Sequence, residues 1–538
     1  MRKFESLFIT ISLLTVVTVT GAAIWSHLKN NSSNTEYEFP ATKFGGFLAA
    51  QHAIYVNDFD AATGFVENLM DVQYPIVQNT VYLSDFLSGR MPFDAHLLKN
   101  EKSMSAQLIY DAYLIQNENW KELHNRHKTD ESALAAPLRI WSAIANDWRT
   151  NTFKFIDNLP TNASWKSFVR GQIYAELGDT EKATENFLAV SPDFMNINDY
   201  LYIMSYYNHI GLTENAQQLK SDFTARPGGM FMLNYDNIPD WSIYSWYKNQ
   251  LAFSLVQNVS HTSVMMYSDL AMLLLRFAQI TAPDFASNNG AVDYYLGNYF
   301  FHNIGDYEQH FDKIQSNSPF KLFGLLRMAE KSQDKQPLQD ALKEHPLFVP
   351  GVNAMVGYHI QHGNKNDALR IVRRAMNQDN LDEVGRAFFL KSRAQIHFAF
   401  GDLDKAQDDI KDAADILVMD GEILSLQAKI WAEQNRELDN AYDYAMTLVR
   451  QNPTDILAWD TLGCVVAARE GVDAALEVME RVSDVSESCS ALFEHLGDMY
   501  VIKGDIDKAN DAYKRAIDLS DDGLVVVPLI ERKIRKLK

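Results

Sequence analysis

Small and aromatic side chains recur at a fixed interval in the last third of the chain. Gly463 and Gly497 lie 34 residues apart, and so do Ala475 and Ala509. Around them the apolar residues follow one another at steps of three and four, which is the spacing of one face of an α-helix. The pattern therefore predicts a series of helical hairpins, each of which buries its apolar face against the next.

The clearest hairpin carries seven residues in a characteristic order: Phe493, Leu496, Gly497, Tyr500, Ala509, Tyr513 and Ala516. This order resembles the tetratricopeptide repeat (TPR), a helix–turn–helix unit. Five such units are predicted from about Pro350 to Asp521. In this interpretation the small residues let two backbones approach, the tyrosines fill the space between the helices, and the chain reverses at Gly504.

Weaker units lie upstream, around Ala50, Gly171, Gly211 and Gly297. Residues 71–160 and 225–290 keep the helical periodicity without the signature, and we interpret them as divergent helical pairs, with an inserted domain as the alternative. The predicted fold is all-α, a TPR superhelix (α-solenoid) with one N-terminal membrane-anchor or signal helix. Divergent hairpins are expected over residues 41–224 and 225–345, and a C-terminal TPR array over residues 346–538.

An uncharged stretch from Ser6 to Trp25 follows Arg2 and Lys3. Twenty helical residues are about 30 Å long, enough to cross a bilayer. The preceding basic residues should stay in the cytoplasm. We therefore expect residues 1–29 to form an inner-membrane anchor, followed by a flexible tether at 30–40, with the C-terminal bulk in the periplasm. A cleaved signal peptide, with release into the periplasm, is the alternative.

The run from Ala428 to Leu519, preceded by helical hairpins and the segment Phe47–Ala53, resembles the multi-TPR envelope proteins of Gram-negative bacteria, of the alphaproteobacterial type. The resemblance implies an exported, acidic, non-enzymatic scaffold or adaptor that binds other proteins outside the inner membrane. A TPR receptor for a peptide signal is an alternative. An enzyme hidden in residues 71–160 or 225–290 is a second alternative.

The charge of the chain narrows the class of partner. The 70 acidic residues outnumber the 49 basic ones, for a formal net charge of -21. Such a surface repels phosphate backbones, so we expect no nucleic acid partner. The basic residues between Arg532 and Lys538 are interpreted as a solvated face of the last helix, with a membrane or RNA patch as the alternative.

The residues that commonly carry chemistry form no recognised motif. The nucleophile elbow, the P-loop and the His-Glu-x-x-His zinc motif are all missing from the sequence. Two histidine pairs, His124 with His127 and His359 with His362, have helical spacing but no third ligand nearby. Cys464 and Cys489 are interpreted as buried small residues, with a disulfide as the alternative. We therefore expect no enzyme, metal or cofactor.

In a TPR array the first helix of each hairpin lines a concave groove. By that register the candidate protein-binding residues are Phe388, Lys391, Gln395, Phe398, Asp460, Thr461, Cys464, Glu494, His495 and Asp498. The positions at which some TPR domains hold a C-terminal carboxylate with Lys and Asn carry acids or Cys464 here, so that clamp is missing. An acidic groove with aromatic positions should prefer a basic or amphipathic segment. The alternative is that these acids are simply solvated.

Overall fold

The computed structural model describes residues 42–72, 74–130, 132, 135–225, 237–261, 268–303, 307–332, 334–379, 381–485 and 488–537. All regular secondary structure in these ranges is helical, as predicted. The predicted membrane anchor and tether lie outside the described residues. Within the described ranges, no helix has both the length and the apolar composition needed to cross a bilayer.

The described chain divides into two compact units. The first contains the described residues up to Phe223 together with Asn237–Gly324, and the second contains Thr224, Ala225 and the described residues from Leu325 onwards. The helices up to Gly324 are α1 Lys43–Tyr55, α2 Phe59–Val66, α3 Pro75–Leu87, α4 Met104–Gln116, α5 Trp120–His127, α6 Ala135–Ala145, α7 Arg149–Asn158, α8 Ala163–Glu176, α9 Thr180–Leu188, α10 Ile197–Ile210, α11 Thr213–Ala225, α12 Tyr247–His261, α13 Asp269–Thr281, α14 Pro283–Asn289, α15 Ala291–Asn303, α16 Glu308–Lys313 and the start of α17 Pro319–Lys331.

In the described part of the second unit, one further helix, α18, precedes five helical hairpins and a final helix. Its elements are α18 Gln336–Glu344, α19 Val349–Gln361, α20 Lys365–Met376, α21 Glu383–Ala399, α22 Leu403–Ala414, α23 Gly421–Glu433, α24 Leu438–Gln451, α25 Ile456–Arg469, α26 Val472–Val485, α27 Ser490–Lys503, α28 Ile506–Asp518 and α29 Val527–Leu537. Short 3-10 helices lie at Glu67–Leu69, Ala95–Asn100, Pro192–Phe194, Trp241–Ile243 and Ser520–Asp522.

In the first unit, helices from the predicted middle segment pack back onto earlier ones. Helix α12 contacts α6, and α13 contacts α3 and α4. The indole of Trp141 in α6 donates a 3.0 Å hydrogen bond to Ser254 in α12, and Phe168 stacks on Phe253. Because α12 and α13 bury side chains around most of their circumference, they need helices on several sides. The boundary between the units falls after Gly324, so the predicted segment 225–345 is shared between them.

In the second unit, the turn at Gly504 has the predicted left-handed conformation, with φ +80°. The small residue at position 497 is needed for a different reason from the one expected. A Cβ on Gly497 would lie 2.4 Å from Cε1 of Tyr513, so a ring, not a second backbone, occupies the space. Tyr513 is buried. Tyr500 instead donates a 2.7 Å hydrogen bond to Glu480 of the preceding hairpin.

The end of the C-terminal array contacts its beginning. Gly523, which follows the last hairpin, lies against the backbone of Gly357 in α19. Gln361 of the same helix donates 3.1 Å hydrogen bonds to Ser520 and Asp521. The first helices of the five hairpins are thereby held around a common space, which forms the candidate site.

Candidate binding cavity

A cavity of about 810 Å³ lies within the second unit. Its wall is formed by α19, α21, α23, α25 and α27, which are the first helices of the five hairpins, and by the segment from Asp522 to Lys533. The volume falls in the range of cavities that bind ligands, about 300–1,000 Å³. Apolar side chains in the wall include Ile360, Phe398, Leu426 and Leu457.

Ion pairs between helices of the wall follow the cavity. Lys391 of α21 lies 2.7 Å from Glu422 of α23, and Lys429 of α23 lies 2.8 Å from Asp460 of α25. Lys533 of α29 lies 2.9 Å from Glu494 of α27. Each pair therefore joins two helices of the wall and neutralises part of its charge.

Asp460 is the most buried member of this series, with no exposed surface. Its Oδ2 accepts a 2.8 Å hydrogen bond from the ammonium group of Lys429, and its Oδ1 accepts one of 2.7 Å from Nδ1 of His495 in α27. The Sγ of Cys464 lies 3.3 Å from the same Nδ1. Both carboxylate oxygens are therefore satisfied, as a buried charge requires.

The electrostatics of this cluster favour charged groups. Burial raises the pKa of Asp460, but the nearby charges of His495 and Lys429 and their hydrogen bonds outweigh it and hold that pKa well below its usual range. Burial lowers the pKa of His495, whereas Asp460 more than offsets this and raises it well above the usual value. Lys429 shows the same balance and its pKa is also raised. The carboxylate is thus ionised between two cations.

The cluster contains the residue types of a cysteine–histidine–aspartate triad without its geometry. In such a triad the carboxylate binds one ring nitrogen and the nucleophile the other, whereas Asp460 and Cys464 both approach Nδ1 of His495. Burial also raises the pKa of the Cys464 thiol, which works against formation of a nucleophilic thiolate. Cys464 and Cys489 are not joined in a disulfide. The arrangement does not activate the thiol for attack.

Of the ten residues predicted to face the groove, six line the cavity and four do not. The six are Lys391, Gln395, Phe398, Glu494, His495 and Asp498. Asp460 and Thr461 are buried behind the wall, where Thr461 shares a 2.7 Å hydrogen bond with Ser425. Phe388 and Cys464 are half-buried, and the Phe388 ring lies 4.6 Å from the ammonium of Lys391.

Two lysines of the cavity wall were not among the predicted site residues. Lys429 lies one hairpin before its partner Asp460, so only the stacking of α23 on α25 reveals the pair. Lys533 belongs to the basic run that the sequence placed on a solvated face, and that interpretation is wrong for this residue. Its ammonium group lies 2.6 Å from Asp498 as well as near Glu494. An apolar stripe on α29, with Ile530 fully buried, was the available signal.

Comparison with known proteins identifies the type of hairpin. Residues 424–538 match the family model described as a tetratricopeptide repeat-like domain. The C-terminal hairpins are TPR-like. This match and the helical hairpins confirm the predicted all-α, TPR-like solenoid. No curated protein matches the sequence.

Solved TPR structures are similar to the chain at low sequence identity. MamA from Desulfovibrio magneticus RS-1 is 17% identical, over 32% of this chain and 96% of that chain, with a TM-score of 0.22. A tetratricopeptide repeat protein from Parabacteroides merdae is 13% identical, over 54% and 99%, with a TM-score of 0.31. A chain in the structure of the APC/C hetero-tetramer Cut9–Hcn1 is 15% identical, over 92% of this chain and 92% of that chain, with a TM-score of 0.32.

Proposed function

We propose that this protein is a non-enzymatic scaffold or adaptor that binds a segment of a partner protein in the cavity of the second unit. The observation that carries the proposal is the mixed composition of the cavity wall. Apolar side chains such as Phe398 and Leu457 lie beside charged groups, and recognition of peptide segments commonly combines apolar anchors with charge complementarity.

The charges of the wall favour a basic, amphipathic segment as the ligand. Seven carboxylates line the cavity against three lysines and His495, so the wall keeps an acidic excess after its internal ion pairs are formed. Glu433, at the end of α23, is an exposed member of this set. Lysine or arginine side chains of a partner would contact such acids, and its apolar side chains would contact Phe398 and Leu457.

The test begins with selection of binders to the full chain from a random-peptide phage library. We expect the selected peptides to be enriched in Lys or Arg and in large apolar residues. Affinity for the most enriched peptide is then measured by fluorescence anisotropy at low salt for Glu433→Lys and Glu477→Lys. Both variants change the net charge equally, but Glu477 lies on α26, the second helix of its hairpin, and is not part of the cavity wall.

Glu433→Lys should weaken binding by about tenfold, because it reverses a charge that the ligand contacts, and added salt should reduce the difference. Glu477→Lys should bind like the wild type. Selection of peptides without basic enrichment, or equal affinities for the two variants, would contradict the proposal. Asp460 is unsuitable for this test because its carboxylate is buried between Lys429 and His495.

We also propose that residues 6–25 anchor the protein in an inner membrane, with its C-terminal bulk in the periplasm and its scaffold role in the cell envelope. The support is the uncharged run from Ser6 to Trp25 behind Arg2 and Lys3. Expression in a Gram-negative host should place the full chain in the membrane fraction, accessible to protease only after the outer membrane is opened. A mature N-terminus near Ala23 would instead indicate a cleaved signal peptide and periplasmic release.

A further inference from the structure

Three side chains with different donor atoms converge beside the cavity. A carboxylate oxygen of Asp460, Sγ of Cys464 and a ring nitrogen of His495 all lie within 4.8 Å of one another. Asp460 and Cys464 are four residues apart on α25, which places them on the same face of the helix, and His495 comes from the neighbouring helix α27. The geometry points to a metal site, in which these three residues bind a zinc ion.

Two of the three distances between the ligand atoms come close to those around a tetrahedral ion. Zinc binds sulfur at about 2.3 Å and nitrogen or oxygen at about 2.0–2.2 Å, so its ligand atoms lie roughly 3.3–3.6 Å from one another. In the cluster, Sγ of Cys464 is 3.3 Å and Oδ1 of Asp460 is 2.7 Å from Nδ1 of His495. The carboxylate and the imidazole would have to separate by roughly half an ångström to admit the ion. The carboxylate and Sγ of Cys464, which lie within 4.8 Å of each other, would also have to adjust to the tetrahedral spacing.

Lys429 lies close to the site but does not occupy the atom that the ion needs. Its ammonium group contacts Oδ2 of Asp460, while Oδ1 is the oxygen that faces His495 and the proposed ion. The metal-binding forms are the thiolate and the imidazole without its Nδ1 proton. A divalent ion that replaces the thiol proton of Cys464 and the Nδ1 proton of a protonated His495 leaves the net charge of the cluster unchanged. The two protons pass to solvent.

The donor set decides the class of ion. A thiolate with an imidazole favours zinc and similar transition metals, whereas magnesium and calcium prefer sites made of oxygen ligands. His495 and Lys429 both form part of the cavity wall, which provides a route from solvent to the ligands. The sequence did not indicate this site, since it predicted that no metal would bind. The two histidine pairs noted in the sequence, His124 with His127 and His359 with His362, are not part of this cluster.

Cobalt(II) titration of the purified, metal-stripped full chain tests the inference, because a cobalt–thiolate bond gives a charge-transfer absorption that neither carboxylates nor imidazoles produce. We expect one cobalt ion per chain, with this absorption, and its loss when zinc is added. Mutation of a residue that only hydrogen-bonds to a metal ligand weakens metal affinity by about 10–100-fold. Cys464→Ala removes a ligand itself, so it should weaken the affinity for cobalt by at least about 100-fold. The absorption should disappear in the same variant.

Cys489→Ala is the matched control, since Cys489 is the other free cysteine and is not a member of the cluster. It should keep both the stoichiometry and the absorption. His495→Gln, which preserves the pair between Lys429 and Asp460, should also weaken cobalt binding, and circular dichroism checks that each variant is folded. A wild-type chain without the absorption would overturn the inference, and so would its persistence in Cys464→Ala. Either result leaves the peptide-binding proposal untouched, because Glu433 tests that separately.

Discussion

Gly497 lies against the ring of Tyr513 across the two helices of the last hairpin. A Cβ on Gly497 would lie 2.4 Å from Cε1 of the ring, closer than real side chains approach. The same relationship recurs in other hairpins, where the corresponding distances are 2.3–2.5 Å; the pairs are Gly171 with Phe187, Gly297 with Phe311 and Gly463 with Met479. A glycine facing a large side chain about sixteen residues later thus sets how closely the two helices of these hairpins pack.

Replacing Gly497 with alanine should destabilise the second unit. Alanine favours a helix over glycine by about 0.5–1 kcal/mol, but the new methyl group would overlap a buried ring, and overpacking of this kind costs about 1–3 kcal/mol. We expect a net loss of about 1 kcal/mol. Urea unfolding of the full chain, followed by circular dichroism, measures the change in the free energy of unfolding of the transition assigned to this unit.

Two further glycine variants make this experiment specific. In Gly463→Ala the methyl group would meet the side chain of Met479, which is more flexible than a ring, so the loss should be smaller. In Gly421→Ala the Cβ would lie 3.5 Å from Leu448, an ordinary contact, and the variant should be neutral or stabilised. If Gly497→Ala proved as stable as Gly421→Ala, the ring of Tyr513 could not be what requires glycine.

The hairpins of the second unit were predictable because each repeats the same local physics. A small residue, an aromatic residue and a reversing glycine such as Gly504 recur at fixed spacing, and sequence neighbours meet in space. The middle of the chain was less accessible to this reasoning. Helices such as α13 pack against helices far earlier in the sequence. Contacts between helices that are distant in sequence produce no regular repeat in the sequence, so the boundary near Gly324 was not predicted.

Loss of Lys429 should strongly destabilise the second unit. Its ammonium is paired with a carboxylate that has no exposed surface, and removing one partner of a buried ion pair costs about 3–5 kcal/mol. His495 still contacts Asp460, so Lys429→Met should fall near 3 kcal/mol, the lower end of this range. Differential scanning calorimetry and urea unfolding of the variant measure the loss.

Arg481→Met provides the comparison for that variant, because Arg481 forms an ion pair with Glu477 in which both side chains are mostly exposed. Exposed pairs contribute about 0–1 kcal/mol, so this variant should unfold almost as the wild type does. Similar losses in the two variants would mean that Lys429 contributes no more to stability than the exposed Arg481 does. The buried pair could then not be the contact that fixes the stacking of α23 on α25.

The composition of the candidate site could be predicted only in part. The position of a residue on its own helix follows from the repeat, so the register predicts that Glu494, His495 and Asp498 face the groove, and all three line the cavity. The partner that neutralises each acid depends on how neighbouring helices are rotated and shifted. The sequence of one hairpin does not determine this rotation and shift. They bury Asp460 behind the wall, between residues of the hairpins on either side.

Gly523 should be the most sensitive point of the contact between the two ends of the C-terminal array. Its φ is +72°, and a Cβ there would lie 2.6 Å from the Cα of Gly357. Gly504 has a similar φ of +80°, but apart from its own atoms and those of its two chain neighbours, no described atom lies within 4 Å of the position that its Cβ would take. Alanine at either position should cost about 1–2 kcal/mol for the left-handed conformation. Gly523→Ala should cost more because it also pushes two backbones apart.

Unfolding in urea and hydrogen exchange of α19 distinguish these two effects. Gly523→Ala should lower the free energy of unfolding further than Gly504→Ala does, and it should speed up amide exchange near Gln361, whose side chain bonds to Ser520 and Asp521. Gly504→Ala should leave exchange in α19 unchanged. If both variants had equal stability and equal exchange, the contact between the ends of the array would not contribute to stability.

Acid should destabilise the second unit through His359. This side chain is 7% exposed, and neither ring nitrogen has a hydrogen-bond partner among the described atoms. Burial lowers the pKa of His359 below its ordinary value of 6.5, with Arg370 and His362 acting in the same direction and Asp367 opposing them. The unfolded chain therefore binds the proton more tightly than the folded chain. Its contribution to stability is present above about pH 6.5 and is lost as the pH falls below it.

His359→Leu isolates this contribution, because leucine fills the buried site without a group that can be protonated. Above about pH 6.5 the variant should be at least as stable as the wild type, since a buried ring without hydrogen bonds is costly. As the pH falls below about 6.5, the wild type should lose stability relative to the variant. His310 and His397 also have lowered pKa values because of burial, so both proteins keep a common acid sensitivity. Urea unfolding across this range gives the difference in stability between the two proteins. A difference that stayed constant with pH would mean that His359 has the same pKa in the folded and the unfolded chain, which would contradict the prediction.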